Sequence, residues 1–565
     1  MPIYEEFTGR HRDDFATLDD LYKNYKITYP ETFNFAYDVL DVLAQRSPDK
    51  PAMVWVSKDN ERKDFTFGDM SRLSNKAANF FRSHGIRKGD YVMLVLKRGY
   101  EFWYCMMGLH KIGAVAVQAT HLLTAKDYIY RVNSGGIKMV LMTGDENCTD
   151  HFDEAIDQYT TLEKRAVTRG KKIDGWIDFD SEFSGQSEKW TRPTGEEDTR
   201  VTDIMTMSFS SGTTGYPKMV LHDYSYPLGH LITGVFWHRV EDRGLHFTIS
   251  DTGWLKSLWG KMYGQWLGET AIFTYDFDKF SAADILSKIS EYKITTFCAP
   301  PTMYRFMIKE DFSPYDFSSL KHCTTAGEAL NPEVYSQWLR NTGLKIFEGF
   351  GQSETTLLCG TLFPWMQPRL GSMGLSMPGT YTVIADEEGN EVSSGIVGEI
   401  CIRTDEAHGG KPLGVFRGYD KDPEGTSRAW HDGLYHTGDT AYRDEMGFLW
   451  YVGRVDDVIK SSGYRIGPFE VESALMEHPS VLECAVTGVP DPDRGFAVKA
   501  TVVLCKGYCG SKELTRELQD HVKKVTAPYK YPRIIEYVDE LPKTISGKIR
   551  RVEIREKDRQ NQATK

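Results

Sequence analysis

Two short runs, PAMVWV at 51–56 and YVMLVL at 91–96, are apolar at nearly every position. A strand buried on both faces reads this way, because neither side of its pleat meets water. Between them SRLSNKAANFFRSHGI places apolar residues at helical spacing and stops at Gly85. EFWYCMMGLHKIGAVAV then reads as a helix broken at Gly113 and followed by a strand, and IKMVLMT as a further strand. The rhythm returns in AADILSKISEYKITTFCAP, helix then strand. Parallel neighbours need a crossover, and a helix supplies it. The alternation therefore predicts an α/β fold of layered, largely parallel sheets.

After about residue 380 the pattern changes. YTVIADEEGNEVSSGIVGEICIR carries turn residues at Glu388-Gly389-Asn390 and Ser394-Gly395, which predicts a β-rich hairpin region. A second change comes at GRVDDVIKSSGYRIGP (453–468), glycine-rich and charged. Beyond it FEVESALMEHPSVLECAVTGVPD reads as helix then strand, with another helix near Lys512 to Lys524. At 565 residues the chain exceeds what one core serves. The boundary is placed at about 455: a large unit 1–455 of layered α/β sheets with a β-rich subdomain, then a small α+β unit 456–565. The polar tail past Arg555 is expected to fray.

A net charge of −12 argues against a surface that coats nucleic acid. The nine cysteines are dispersed, with no CxxC pair or His/Cys ladder, and suit reduced thiols; Cys505 and Cys509 alone are a poor zinc signal. The acidic N-terminus lacks an apolar signal segment, and no apolar run is long enough to span a bilayer. These features predict a soluble, cytoplasmic protein without a membrane span or a nucleic-acid partner.

SFSSGTTGYPKMV (208–220) crowds small donors together. Ser210, Ser211, Thr213 and Thr214 offer hydroxyls, Gly212 and Gly215 let backbone N–H groups turn toward an anion, and Lys218 adds charge behind the stiffening Pro217. The GK[ST] ending of a Walker loop is missing. In EGFGQSET (348–355), Phe350 is suited to a purine face, Ser353 to a phosphate and Glu354 to Mg²⁺. YHTGD (435–439) ends on Asp439, suited to ribose hydroxyls, and LPKTISGKIRR (541–551) presents Lys548 after a Ser-Gly turn. Singly, each equals a hairpin loop, a tight turn or a solvated basic tail. Together, in this order, they point to an ATP site.

With CAPPTMYR, AGEAL and GRVDDVIKSSGYRIGPFEVE, these stretches resemble the acyl-adenylate-forming superfamily of acyl-CoA synthetases, firefly luciferases and peptide-synthetase adenylation domains. The resemblance spans nearly the whole chain, and DTGW (251–254) and APYKYPR (527–533) bring it nearest to AMP-forming medium-chain acyl-CoA synthetases. It implies a large N-terminal domain, a mobile C-terminal domain and an active site between them. Residues 210 to 218 are then expected to wrap the ATP phosphates. Gly327 and Glu328 border the adenine and acyl sites, and Glu348, Gly349, Phe350, Gly351, Gln352 and Ser353 line the nucleotide. Glu354 holds Mg²⁺, Asp439 and Arg454 bind ribose, Arg465 touches the α-phosphate region and Lys548 is the adenylation lysine. Ser462, Gly463, Tyr464, Arg494, Tyr531 and Arg533 fall at coenzyme A positions, and Asp456 at the hinge.

Phe350 and Ser353 replace the commoner tyrosine and threonine, keeping ring and hydroxyl. Acetate-specific relatives carry tryptophan where Gly351 stands, so glycine there is expected to open the acyl pocket, with Gly327, Trp237 and Trp259 as further walls. Lys256 and Lys261 are expected to be solvated surface lysines, and His222 and His230 to be structural. The implied reaction uses ATP, Mg²⁺ and coenzyme A: a short-to-medium or branched carboxylic acid is joined to AMP, then passed to the thiol. The rivals are transfer to a carrier-protein phosphopantetheine, a P-loop phosphotransferase, and a protein that binds nucleotide without catalysis; a homodimer is left open.

Overall fold

The computed structural model of the chain describes residues 2–145, 148–170, 172–210, 216–405, 410–462, 464–543 and 548–563. PAMVWV and YVMLVL both become strands, Pro51–Ser57 and Tyr91–Val95, but they lie in different sheets. Pro51–Ser57 runs parallel to Ala271–Asp276, and the sheet continues in parallel through Leu245–Thr248, Thr296–Cys298, His322–Ala326 and Ile346–Gly351. Beyond Ile346–Gly351 the same sheet turns antiparallel through Leu357–Gly360, Ser372–Ser376, Leu449–Arg454, Leu434–Arg443, Gly398–Arg403 and Thr382–Ala385. The change of texture after about residue 380 is this antiparallel half; its turns use Gly389 and Gly395 at φ of +81° and +82°, the left-handed region glycine enters without strain.

The second sheet is parallel through Ile204–Ser210, Val115–Gln118, Tyr91–Val95, Ile137–Thr143 and Lys164–Thr168. Lys218–Asp223 folds back antiparallel on Ile204–Ser210. Two helices fill the space between the sheets. Phe67–Ser83 opens on a capping box in which Thr66 and Asp69 satisfy each other's backbone N–H. Glu101–Ile112 is buried along its whole length, which is why apolar residues dominate it on every face, the buried Lys111 being paired with Asp41. A β-carbon at Gly108 would stand 2.7 Å from Ala77 Cβ, so small residues let the helices approach backbone to backbone. Their side chains share one core with Ala52 and Met53 of the first sheet and Leu94 and Met139 of the second.

A third sheet is built on the hairpin Val481–Asp491 and Gly495–Leu504, flanked by Ile459–Ser461, Tyr464–Ile466 and Ile534–Tyr537. Pro468–Met476 and Lys512–Val525 cover it, burying Val471, Leu475, Val486, Val498, Leu518 and Val522 in a core of its own. The tail past Arg555 does not fray as expected: Arg551–Ala563 is a helix. Arg551 reaches the buried Glu472 with Nε at 3.2 Å and Nη2 at 2.7 Å, Arg555 pairs with Asp457, and Ile554 packs against Ala485, Val503 and Leu541. Composition concealed this helix because its charges are paired rather than solvated. Among the described residues no helix is long and apolar enough to cross a membrane.

Glu472 also accepts the Val486 N–H at 2.7 Å, so its carboxylate ties a helix, a strand and the tail together. Arg551→Ala strands that buried charge and is expected to cost about 3–5 kcal/mol in chemical denaturation of the third-sheet unit. The pair Glu472→Gln/Arg551→Met, which leaves no charge uncompensated, is expected to recover most of the loss.

Candidate active site

The antiparallel turn-back of Lys218–Asp223 on Ile204–Ser210 places Lys218 directly across from Ser210. The intervening Ser211, Gly212, Thr213, Thr214 and Gly215 lie outside the described residues, as does Gly463. Lys218 Nζ stands 4.4 Å from the centroid of the Tyr419 ring, and the Tyr419 hydroxyl donates to Glu354 Oε1 at 3.0 Å. One phenol thus holds the loop lysine and the Mg²⁺-candidate carboxylate beside each other. Burial raises the Glu354 pKa, while the Tyr419 hydrogen bond and the fields of Lys218 and Arg454 oppose the rise.

Gln352 spans the cleft's second side. Its Nε2 donates to the Thr437 carbonyl at 2.7 Å and to the Asp439 carboxylate, and its Oε1 accepts from the Tyr435 hydroxyl at 2.9 Å. Asp439 is also held by the Tyr451 hydroxyl at 3.1 Å and Arg454 Nη1 at 3.3 Å. Burial raises its pKa; Arg454 is the main counterweight, and Lys548 contributes in the same sense. Phe350 packs 6.4 Å from Tyr451 on this side. The Ser353 carbonyl accepts from His222 Nε2 at 2.7 Å, so His222 is structural, and burial takes its pKa down to about 4.

The third side comes from the loop after His322–Ala326. Gly327 takes φ +110°, a conformation costly for any other residue, and Glu328 Oε2 accepts from the Thr302 hydroxyl at 2.7 Å. Lys256 Nζ donates to the Ala326 carbonyl at 3.3 Å; burial lowers its pKa, and it feels both Glu328 and Lys548. Lys548 therefore lies within the fields of Lys256 and Asp439, which belong to the first sheet's side of the cleft.

Several expectations change. Lys261 is not solvated: it is 1% exposed, donates to the Ser250 carbonyl at 3.2 Å, and has its pKa lowered to about 7 by burial and then by Arg98, while Lys256 is half-buried. Gly351 is not simply an absent plug. A β-carbon there would lie 2.3 Å from the Thr356 carbonyl, because a strand irregularity turns Gly351 into the neighbouring backbone. Gly349 is the glycine whose added β-carbon would meet the Trp237 ring, at 2.7 Å. Nothing in a single sequence marks the irregularity that separates the two. Trp237 is fully buried, and its ring centroid is 6.5 Å from that of Trp259, which stacks against His230 and His238 at 6.1 Å each.

Arg465 does not meet this cleft through its visible pairing: it bonds Glu387 at 3.0 Å and is half-exposed. Of the described coenzyme A candidates, Ser462, Tyr464 and Arg533 are exposed and Arg494 and Tyr531 half-buried. Ser462 N–H donates to the Arg494 carbonyl at 2.9 Å, Tyr464 stacks on Tyr529 at 4.0 Å, and Arg533 donates to the Tyr531 hydroxyl. Tyr529 was missed by sequence reasoning, although it precedes Tyr531 by two positions. Asp456 is exposed, whereas the adjacent Asp457 pairs with Arg551 and Arg555.

Glu348 is buried behind the cleft, accepts the Leu330 N–H at 3.2 Å, and is pushed by desolvation up to about 8. Between the ordinary carboxylate range and that value the folded chain keeps a proton the unfolded chain releases, so stability falls as pH rises through this window. The denaturation midpoint is expected to drop from about pH 5 to about pH 8 more steeply in wild type than in Glu348→Gln.

Residues 40–419 match the AMP-binding enzyme family, and residues 470–548 match the AMP-binding enzyme C-terminal domain. The chain is 38% identical over 565 residues to acyl-coenzyme A synthetase ACSM3, mitochondrial, of Mus musculus, covering 98% of this chain and 96% of that one. It is 40% identical over 538 residues to acyl-coenzyme A synthetase ACSM5, mitochondrial, of Rattus norvegicus, covering 94% and 91%. An anthranilate CoA ligase, AuaEII, solved with anthranoyl-AMP, superposes with a TM-score of 0.86 at 29% identity over 95% of this chain and 99% of its own. An acyl-CoA synthetase of Brucella canis does so at 0.73 and 30% identity, over 97% and 99%. The cytoplasmic location expected from the N-terminal sequence is overturned by the Mus musculus and Rattus norvegicus synthetases, whose names place them in mitochondria.

Proposed function

We propose how the cleft divides its work in this chain, which belongs to the AMP-binding enzyme family. The protein is an AMP-forming acyl-CoA synthetase, a ligase that uses ATP to join an organic acid to coenzyme A.

In the first half-reaction the acid's carboxylate attacks the α-phosphorus of ATP, forming acyl-AMP and releasing pyrophosphate. Both partners are anionic, so the step needs positive charge placed before it begins. Lys548 bridges the carboxylate and the α-phosphate, and Lys218, beside Tyr419, takes the charge that develops on pyrophosphate. Asp439 receives the ribose: a carboxylate has roughly four lone-pair sites, and Tyr451, Gln352 and Arg454 occupy three of them. Phe350 lies against the purine, and Arg465 reaches the phosphate only after the third-sheet unit moves. Glu354 suits Mg²⁺, since it commits Oε1 to Tyr419 and keeps a second hard oxygen donor. Mg²⁺ held there supplies charge neutralisation of the polyphosphate.

In the second half-reaction the coenzyme A thiol attacks the acyl carbonyl and expels AMP. We assign residues 1–455 and 456–565 to two domains that rotate about Asp456, carrying Lys548 away and bringing Ser462, Gly463, Tyr464, Arg494, Tyr531 and Arg533 to the cleft. The observation that most supports the whole reading is the joining of Lys218 and Glu354 through Tyr419, beside the buried Asp439 paired with Arg454. For the acid we favour short-to-medium or branched aliphatic chains, walled by Trp237 and Trp259 with Gly349 making room for the first ring.

Lys548→Ala is expected to slow acyl-AMP formation by about 10²–10³-fold, read as pyrophosphate release without coenzyme A. The same variant is expected to convert supplied acyl-AMP to thioester at close to the wild-type rate; equal loss in both assays would remove Lys548 from the adenylation step. In a screen from acetate to octanoate, Gly349→Ala is expected to shift preference toward shorter acids by displacing Trp237. An unchanged profile would take that wall out of the acyl site.

A further inference from the structure

The antiparallel pair Gly398–Arg403 and Leu434–Arg443 carries a group of side chains that neither half-reaction uses. Cys401 and His436 face each other directly across the two strands, with Cys401 Sγ 3.5 Å from His436 Nδ1. Glu399 brings Oε2 to 3.0 Å from the same nitrogen, and all three ligand atoms lie within 4.8 Å of one another. A tetrahedral zinc ion, with a thiolate about 2.3 Å away and an imidazole nitrogen about 2.0 Å away, separates sulfur from nitrogen by about 3.5 Å. The pair thus already has that spacing.

The surroundings fit an ion as well. Glu399 Oε1 accepts the Gly438 N–H at 2.7 Å, which fixes the carboxylate and leaves Oε2 for a ligand. Cys401 is fully buried, while Glu399 and His436 side chains keep 23% and 11% exposure, so solvent reaches the group from their side. The ring of His431 stacks on His436 at 3.7 Å, with its Nδ1 bonded to Asp432. An ordinary Glu–His ion pair accounts for two of the three groups. It gives no reason for a buried thiol beside the same nitrogen.

We propose that Glu399, Cys401 and His436 form a Zn²⁺ site with three protein ligands and a fourth position open to water. Binding forms Zn–S, Zn–N and Zn–O contacts and releases the Cys401 proton to solvent; the imidazole stays neutral with its proton on Nε2. An ion here clips Gly398–Arg403 to the strand that carries Asp439 three residues beyond His436.

The test uses the full chain, reduced and freed of metal, titrated with Co²⁺ as a spectroscopic stand-in. One equivalent is expected to produce a thiolate-to-cobalt charge-transfer band and tetrahedral visible bands, both displaced by Zn²⁺. Cys401→Ser is expected to abolish the charge-transfer band, whereas Cys505→Ser/Cys509→Ser leaves it intact. His436→Ala is expected to weaken Co²⁺ binding by more than the roughly 10–100-fold that loss of an outer-shell partner costs. No band in wild type, a band that survives Cys401→Ser, or one lost with Cys505 and Cys509 overturns the site. Should Cys401→Ser fail to fold, X-ray absorption on the zinc-loaded wild type decides: one sulfur among nitrogen and oxygen neighbours supports the site, and none or several refutes it.

Discussion

A buried carboxylate, Asp439, is the point on which the cleft depends. Taking a carboxylate out of water is costly unless its lone pairs are met. Here they are met from three directions: Gln352 after one strand, Tyr451 along a second, and Arg454 at that strand's end. The same Gln352 accepts from Tyr435 on the strand of Asp439 itself. Each contact fixes a segment that carries another working group. Gln352 fixes the Phe350-to-Glu354 stretch, and Arg454 fixes the last residue before the connection to the third sheet. The geometry around Asp439 is therefore set in advance by the need to satisfy one charge.

The connection from Arg454 to Ile459 divides its anchors cleanly. Arg454 is bonded backward to Asp439 and to the Thr437 carbonyl, and Asp457 is paired forward to Arg551 and Arg555 on the terminal helix. Val455 and Asp456 are the exposed residues between them. The rotation proposed about Asp456 would fall between these anchors. The third-sheet unit's separate core and the buried Arg551–Glu472 pair would let it turn as one body.

Much of this was legible in order and kind. The apolar runs, the helix stops at Gly85 and Gly113, and the turn glycines at 389 and 395 mark local structure through conformational rules that need no partner. The site motifs were legible because each places its chemistry within a few residues. What escaped was everything set by distant packing. The terminal helix forms because Glu472 and Asp457, about eighty to a hundred positions away, receive its arginines. Lys261 reads as a surface charge until the fold closes over it. Gly349 and Gly351 look interchangeable as strand glycines; only the irregularity between them decides which faces a tryptophan and which faces a carbonyl.

The distribution of charge around the cleft separates two kinds of environment. On the nucleotide side stand Lys218, Glu354, Asp439 and Arg454, groups able to meet phosphate, metal and ribose. Around Trp237 and Trp259 stand His230, His238, His246 and His322, every one with its pKa lowered by burial and, for His246 and His322, down to about 3. These imidazoles are neutral at any physiological pH, and hydroxyls of Thr233, Thr324, Thr296 and Thr248 bond three of them. Lys256 borders these rings, its Nζ 5.6 Å from the Trp259 centroid and bonded to the Ala326 carbonyl. Neutral polar rings pack as hydrocarbon walls do, yet fix their own orientation through hydrogen bonds. Burial thus keeps the imidazoles beside the tryptophans uncharged and leaves Lys256 as a basic group at their edge.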